Sequence, residues 1–183
     1  KQVMEIKNNK GNRKERNMSL VTYIINKKTL LKLIQYAQKI SSFFNLRDTL
    51  AYLCDERRIM AYEYKGFARC IDSYESYYKV SMEFLDMDIS TQVFKSTWPI
   101  FTNTNDTPPT KYLKNASVKK SFVANGAIID GEVDGCILYR NVSIGKNAVV
   151  KNCIILNGST VCAGAHLENV IIDKDAPIEK KTE

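Results

Sequence analysis

The single histidine and the five cysteines are the side chains best suited to chemistry in this sequence. Histidine can serve as a general base, and thiols can bind metals or act as nucleophiles. His166 lies in the segment Ala163-Gly-Ala-His-Leu167. The cysteines are Cys54, Cys70, Cys136, Cys153 and Cys162. No two of them form a Cys-x-x-Cys pair, so the spacing disfavours zinc, and we expect reduced cysteines that fill space in a core.

The glycines do not predict a nucleotide-binding loop. Loops that bind nucleotide phosphates place several glycines close together at the start of a helix. The chain has 8 glycines, and no cluster of them could cradle a triphosphate. We therefore expect no cofactor-binding site in this chain.

The positive charge is concentrated in the first third of the chain. Residues 1–60 carry 13 Lys and Arg against 5 Asp and Glu, a balance of +8, while the net charge of the whole chain is +7. The densest stretch, residues 7–16, is a candidate nucleic-acid arm. It lacks aromatic residues that could stack on bases, so we interpret it as a solvated loop. No apolar run approaches the ~18 residues of a membrane span, and no secretion signal is present, which favours a cytoplasmic protein.

A repeat in the C-terminal part is the most specific pattern. Four segments share an aliphatic residue, two polar residues, a small residue and two apolar residues: 118–123, 133–138, 150–155 and 167–172. Each is followed by a turn-forming pair: Asn125-Gly126, Arg140-Asn141, Asn157-Gly158 and Lys174-Asp175. The spacing is close to the about 18 residues of a triangular coil. We predict a left-handed parallel β-helix of hexapeptide repeats over residues 116–183, whose stacked coils share one core.

Two further expectations follow from this repeat. The small residue of each segment should join a vertical column inside the β-helix: Ser121, Cys136, Cys153 and Val170. Lys146 and Lys151 fall at coil corners and are candidate contacts for an anionic effector or a partner protein.

The residues before the repeat have the pattern of a mixed α/β structure. Apolar periodicity predicts strands at 19–26, 58–64 and 67–71, and helices at 27–40 and 46–54. Ser73 is a suitable N-cap for a further helix that runs to about residue 85. Residues 95–115 contain three of the four prolines and read as a linker, which Trp98 should pack against a domain.

Four motifs in this sequence are characteristic of one protein family. They are Tyr62-Glu-Tyr-Lys-Gly-Phe67, Ile71-Asp-Ser73 with Ser76-Tyr-Tyr78, Pro108-Pro-Thr-Lys-Tyr112, and Leu167-Glu-Asn-Val-Ile-Ile-Asp-Lys-Asp175. With them the chain resembles the C-terminal half of a bacterial ADP-glucose pyrophosphorylase (glucose-1-phosphate adenylyltransferase), most closely its regulatory-type subunit. The resemblance implies three parts: the α/β remnant of a Rossmann-like nucleotidyltransferase domain (1–92), a linker (93–115) and a β-helix for assembly and regulation (116–183).

The resemblance also implies a degenerate active site around Arg69, Cys70, Asp72 and Ser73. Catalytic members of the family carry Trp-Arg-Asp-Val-Gly-Thr, whose aspartate helps to hold Mg²⁺, where this chain reads Ala68-Arg69-Cys70-Ile71-Asp72-Ser73. A thiol is a poor substitute, because Mg²⁺ prefers oxygen ligands. The family's Ser-Met-Gly-Ile-Tyr becomes Ser19-Leu-Val-Thr-Tyr23, with Val21 at the glycine position. We therefore expect no catalytic or metal-binding residue in this chain.

The resulting hypothesis is a catalytically impaired subunit that regulates and assembles with a catalytic ADP-glucose pyrophosphorylase subunit. Self-association and binding of an anionic metabolite are compatible with it, and nucleic-acid or membrane binding is not expected. One alternative is a competent adenylyltransferase that uses Asp72 in place of the missing aspartate. Another is a hexapeptide-repeat acyltransferase with His166 as general base. A nucleic-acid binder that uses residues 7–16 is the remaining alternative.

Overall fold

A computed structural model describes residues 1–6, 17–40, 45–102 and 104–179 of the chain. It divides the chain into two compact units, Lys1–Ala68 and Arg69–Glu183. The basic stretch at residues 7–16 lies outside the described residues, so its interpretation as a solvated loop stays a prediction.

Two helices and the extended segments around them make up the first unit. Helix α1 spans Lys27–Lys39 and helix α2 spans Leu46–Tyr52, close to the two helices predicted there. Both begin at an asparagine whose side chain accepts a hydrogen bond from a backbone N–H of the first turn. Leu33, Leu50 and Leu53 form a small buried cluster between the helices.

The three strands predicted before residue 72 are wrong. Residues 19–26 contain no strand, and Ile24 is fully exposed. Residues 58–64 contribute one antiparallel bridge, between Gln2 and Met60, and residues 67–71 contain no strand. A strand needs a neighbour to complete its hydrogen bonds, and this bridge is the only strand pairing in the described part of the first unit. The apolar pattern therefore occurs without the pairing that it would need to form a sheet.

The second unit begins with two helices. Helix α3 spans Tyr74–Glu83 and is capped by Ser73, as predicted, and helix α4 spans Met87–Val93. Helix α4 was not expected, since its short sequence lacks a clear apolar stripe. Both helices belong to the same compact unit as the repeat, whereas the domain predicted before the linker extends to residue 92. The domain boundaries at 92 and 115 stay predictions.

The repeat forms a parallel β-helix, which confirms the main fold prediction. The described part of the second unit contains the strands β1 Lys111–Tyr112, β2 Ser117–Lys119, β3 Phe122–Val123, β4 Ile128–Ile129, β5 Glu132–Asp134, β6 Ile137–Leu138, β7 Ser143–Ile144, β8 Val149–Lys151, β9 Ile154–Ile155, β10 Thr160–Val161, β11 His166–Glu168, β12 Ile171–Ile172 and β13 Pro177–Ile178. Every third strand pairs in parallel, which gives sheet 1 (β1-β4-β7-β10-β13), sheet 2 (β2-β5-β8-β11) and sheet 3 (β3-β6-β9-β12). Strand β1 lies in the predicted linker, so the coils begin before residue 116.

Residues with positive φ occur at all three corners, and at the corner between sheets 1 and 2 they are Asn147 and Gly164. At the corner between sheets 2 and 3 these residues are Lys120, Gly135, Asn152 and Asn169. At the corner between sheets 3 and 1 they are Gly126, Asn141, Gly158 and Asp175. From the second coil onward, the backbone N–H of the corner residue donates to a carbonyl of the preceding coil, as Asn152 does to Asp134 at 2.9 Å. The turn-forming pairs predicted from the sequence thus supply the left-handed residues that this bonding requires.

The third corner, between sheets 1 and 2, is shortened in the second coil. In that coil the corner consists of Asp130 and Gly131, between β4 and β5, whereas the same corner of the next coil consists of four residues, 145–148. A carboxylate oxygen of Asp130 accepts hydrogen bonds from the backbone and side-chain N–H groups of Asn115, at 3.1 and 2.9 Å. A Cβ on Gly131 would come within 2.5 Å of the carbonyl oxygen of Ala148. The short corner therefore requires glycine, and it accounts for the spacing of 15 rather than 17 residues.

The column of small residues inside the β-helix is confirmed. The backbone N–H of Cys136 donates to Oγ of Ser121 at 2.9 Å, and that of Cys153 donates to Sγ of Cys136 at 3.4 Å. Val170 continues the column, because its carbonyl accepts from Ile154 at 3.0 Å. A hydrogen bond with Cys153 and burial raise the pKa of Cys136, so this thiol stays protonated at neutral pH. Both cysteines are free and fully buried, as expected for core-filling residues.

Candidate functional site

The segment Arg69–Ser73, for which the resemblance implies a degenerate active site, leads directly into helix α3. Ser73 is the N-cap, and its Oγ accepts from the backbone N–H of Ser76 at 3.1 Å. In return, Oγ of Ser76 accepts from the backbone N–H groups of Ser73 and Asp72, at 2.9 and 3.0 Å. This reciprocal capping box satisfies backbone donors at the helix start. Ser73 therefore has a structural role that needs no substrate.

Arg69 is bound to the far end of the same helix. Its Nε donates to both carboxylate oxygens of Glu83, at 2.9 and 3.2 Å. The pair is partly exposed, with 44% of the Arg69 side chain accessible, so its contribution to stability is at most about 1 kcal/mol. The contact holds the segment along the length of α3.

The donor groups of this segment do not fit a magnesium ion. Cys70 and Asp72 are both exposed, and together they offer one thiol and one carboxylate. Mg²⁺ requires hard oxygen ligands in near-octahedral geometry. Nowhere in the described residues do three or more His, Cys, Asp or Glu side chains lie in an arrangement that could hold a metal ion. We therefore derive no metal-dependent step for this segment.

Val21 occupies a backbone conformation that suits glycine. Its φ is 56°, in the left-handed region that β-branched residues rarely adopt. Glycine, which the resemblance implies at this position, adopts this conformation without strain.

Helix α3 packs against the outer face of sheet 3. Ile154 alternates with the core residue Ile155 and so points outward, yet it is fully buried. The hydroxyl of Tyr78 donates to the carbonyl of Asn152 at 2.7 Å. Burial and a hydrogen bond with Tyr77 raise the pKa of Tyr139 to about 12. Tyr78 and Tyr77 thus hold α3 at the two edges of sheet 3.

This docking role of the tyrosines is not among the sequence predictions, although a signal for it is present in the sequence. The outward column of sheet 3 is apolar in every coil: Phe122, Ile137, Ile154 and Ile171. An outward apolar column on a coil predicts a covering element. Beside α3 the same face forms an open apolar depression of about 290 Å³, lined by Phe122, Val123, Ala124, Ile137, Leu138 and Tyr139. Trp98, expected to pack the linker, is instead 82% exposed.

The remaining candidate residues lie on or beside sheet 2, and they do not converge on one site. Lys146 lies in the corner 145–148 that precedes strand β8, whereas Lys151 is the last residue of β8. Lys151 lies between Asp134 and Glu168 of the neighbouring coils. His166 is exposed and lies beside Val149. The contacts of Lys146 and Lys151 with an anion or a partner therefore stay predictions.

Comparison with known proteins places this structure in a functional context. Residues 108–183 match the family described as GlmU-like, C-terminal hexapeptide. The glycogen biosynthesis protein GlgD of Bacillus subtilis is 42% identical over 165 residues, which cover 90% of this chain and 48% of the relative. The chain is GlgD-like. This agrees with the family resemblance that the sequence motifs indicate.

Other relatives carry two kinds of name, glycogen biosynthesis protein and glucose-1-phosphate adenylyltransferase. GlgD of Geobacillus stearothermophilus is 50% identical over 70 residues, which cover 38% of this chain and 20% of the relative. The glucose-1-phosphate adenylyltransferase of Clostridium perfringens is 27% identical over 152 residues, which cover 81% of this chain and 38% of the relative. The GlgD-like chain spans about half the length, or less, of the curated relatives that it matches. Among its described residues, no helix is long and apolar enough to cross a membrane.

Proposed function

We propose that this chain serves glycogen biosynthesis as a regulatory and assembly subunit of glucose-1-phosphate adenylyltransferase. Its likeness to GlgD, at 42% identity over 90% of the chain, supports this role. In this proposal a separate catalytic subunit forms ADP-glucose, and the GlgD-like chain changes the activity of that subunit by binding to it. A cytoplasmic location and an anionic effector belong to the same proposal.

The proposed loss of catalysis is supported by one observation: residues of the segment Arg69–Ser73 make contacts that stabilise the structure. Ser73 caps α3, Arg69 pairs with Glu83, and a thiol stands where the family has its metal carboxylate. Phosphoryl transfer depends on a metal ion that neutralises the charge developing on the phosphates. A segment with these contacts supports the helix that packs on the β-helix, and it has one carboxylate, Asp72, left for a metal.

The experiment is an assay of ADP-glucose formation with and without a catalytic partner. The chain is measured alone with ATP, glucose 1-phosphate and Mg²⁺, and then mixed with the glucose-1-phosphate adenylyltransferase of the same organism. We expect no turnover by the chain alone and a severalfold change in the rate or effector response of the mixture. A Tyr74→Phe variant, altered at a ring that is 89% exposed, serves as the control and should act like the unaltered chain.

Two results would contradict the proposal. A mixture with the same kinetics as the partner alone would remove the regulatory role. Mg²⁺-dependent turnover by the chain alone would favour the competent adenylyltransferase, and an Asp72→Asn change should then abolish that turnover.

A further inference from the structure

Four charged residues form a column on the outer face of sheet 2. The strand register places Lys119 beside Asp134, Asp134 beside Lys151, and Lys151 beside Glu168. Neighbouring positions in such a column are about 4.8 Å apart. The charge along the axis of the β-helix therefore alternates in sign over four consecutive coils.

These charges are available for contacts with another molecule. Lys119, Lys151 and Glu168 are exposed, and Asp134 is half-buried. In the described part of the chain, none of the four lies within 4.0 Å of an opposite charge; the ion pairs there join Arg47 to Asp48, Arg69 to Glu83 and Lys79 to Glu75. The column is thus a set of unpaired charges at regular spacing.

We propose that the outer face of sheet 2 is a self-association surface that binds a second, antiparallel copy of this chain. A two-fold axis parallel to the strands, between the coils of Asp134 and Lys151, reverses the order of the column in the second copy. Lys119 then faces Glu168 and Asp134 faces Lys151, each twice, so that all four pairs are of opposite charge. A two-fold interface requires such a self-complementary surface.

The other two faces lack this property. The outer face of sheet 3 is apolar and carries helix α3. The outward column of sheet 1 is Lys111, Ile128, Ser143, Thr160 and Pro177, with a single charge. Reversing that column pairs Lys111 with a proline, so it gives no electrostatic preference for an antiparallel copy.

The expected association is weak. Four strands of three residues offer a face of roughly 15 Å by 10 Å, far below the about 800 Å² per partner of a standard stable interface. Charge pairs at a solvated surface contribute little each and are screened by salt. The proposal deepens the assembly role proposed above, but its test uses this chain alone, so it can fail without the regulatory function failing.

Charge reversal within the column tests the proposal by sedimentation equilibrium at low ionic strength. In a dimer of Lys151→Glu, each of the two central Asp134–Lys151 pairs is replaced by two facing carboxylates. In a dimer of Asp134→Lys, each is replaced by two facing ammonium groups. We expect each variant to weaken dimerisation at least about tenfold. A 1:1 mixture of the two variants restores four opposite pairs, so we expect a heterodimer as tight as the unaltered dimer. The double variant Asp134→Lys/Lys151→Glu restores four opposite pairs as well, and we expect it to dimerise again.

The double variant distinguishes charge pairing between two copies from charge pairing between neighbouring coils of one copy. Within one copy, the column of Lys151→Glu and that of the double variant each contain one neighbouring pair of opposite charge and two of like charge. If the charges act only within one copy, the two variants should therefore be equally stable. Lys174→Glu makes the same change in net charge at an exposed corner between sheets 3 and 1, outside the column, and should leave dimerisation unchanged. A chain that stays monomeric at high concentration would overturn the proposal. Equal dimerisation of the single variants and the unaltered chain, or no recovery in the mixture, would overturn it too.

Discussion

Individual residues in the segment Arg69–Ser73 have structural roles that do not need a substrate. Ser73 shares its capping hydrogen bonds with Ser76, and Arg69 pairs with Glu83. At the residue scale, these contacts stabilise α3, while the side chains of Cys70 and Asp72 are exposed.

Lys120 is a residue whose backbone conformation suits another side chain. Its φ is 45°, and the equivalent corner positions carry Gly135, Asn152 and Asn169. Asparagine and glycine tolerate this region, whereas lysine is strained in it. We expect Lys120→Asn to raise the free energy of unfolding by about 1 kcal/mol in urea titrations. Lys146→Asn, at a corner position without positive φ, is the control, and an equal gain there would contradict the explanation.

Tyr139 makes the stability of the second unit depend on alkaline pH. Burial and its hydrogen bond with Tyr77 raise its pKa from 10.0 to about 12. An unfolded tyrosine ionises near pH 10 while the folded one keeps its proton, so this contribution is complete below pH 10 and is lost as pH rises towards 12. Urea titrations should show a decline in stability over this range that is shallower in Tyr139→Phe. An unchanged decline would assign the effect to other groups.

At the scale of elements, the sequence predicts what local chemistry determines. The coils were predicted because each one repeats an aliphatic residue, a small residue and a left-handed corner, and these contacts recur between neighbours. The strands at 19–26 and 58–64 were mispredicted because a strand depends on a partner distant in sequence. Helix α3 was found from its cap, but its docking on sheet 3 was not, since Tyr78 bonds to Asn152, 74 residues away.

The hydroxyl of Tyr78 should contribute to holding α3 on the β-helix. Tyr78→Phe removes the hydrogen bond to the Asn152 carbonyl and should cost about 1 kcal/mol of unfolding free energy. Hydrogen exchange should quicken in α3 more than in the core coils. Tyr74→Phe, on the same helix but 89% exposed, is the matched control. Equal exchange in the two variants would show that apolar packing alone holds the helix.

At the scale of the whole molecule, the two units differ in how much core they bury. The second unit has a continuous buried core along the β-helix, which includes Ile129, Leu138, Ile144 and Ile155. Among the described residues of the first unit, the buried cluster consists of three leucines. Burial of apolar surface is the main favourable term in folding, so the two units should differ in their ability to fold alone.

Separate expression of the two units tests this difference. We expect residues 69–183 to give a strand-type circular dichroism spectrum and a cooperative urea transition. We expect residues 1–68 to lack a cooperative transition, because three buried leucines cannot offset the conformational entropy of 68 residues. A 69–183 fragment without cooperative unfolding would show that its coils need the first unit.

The two-residue corner at Asp130 and Gly131 shows where chain length can change without altering the fold. Two residues are missing there, yet β4 and β5 keep the register of their neighbours, and the Asp130 carboxylate bonds to the backbone of Asn115. Insertions and deletions at this edge are therefore absorbed locally, whereas a single inserted residue within a strand would turn core side chains outward. For protein engineering, the four-residue corner at 145–148 is accordingly the natural place to graft a peptide loop, with the coils above and below serving as a rigid frame.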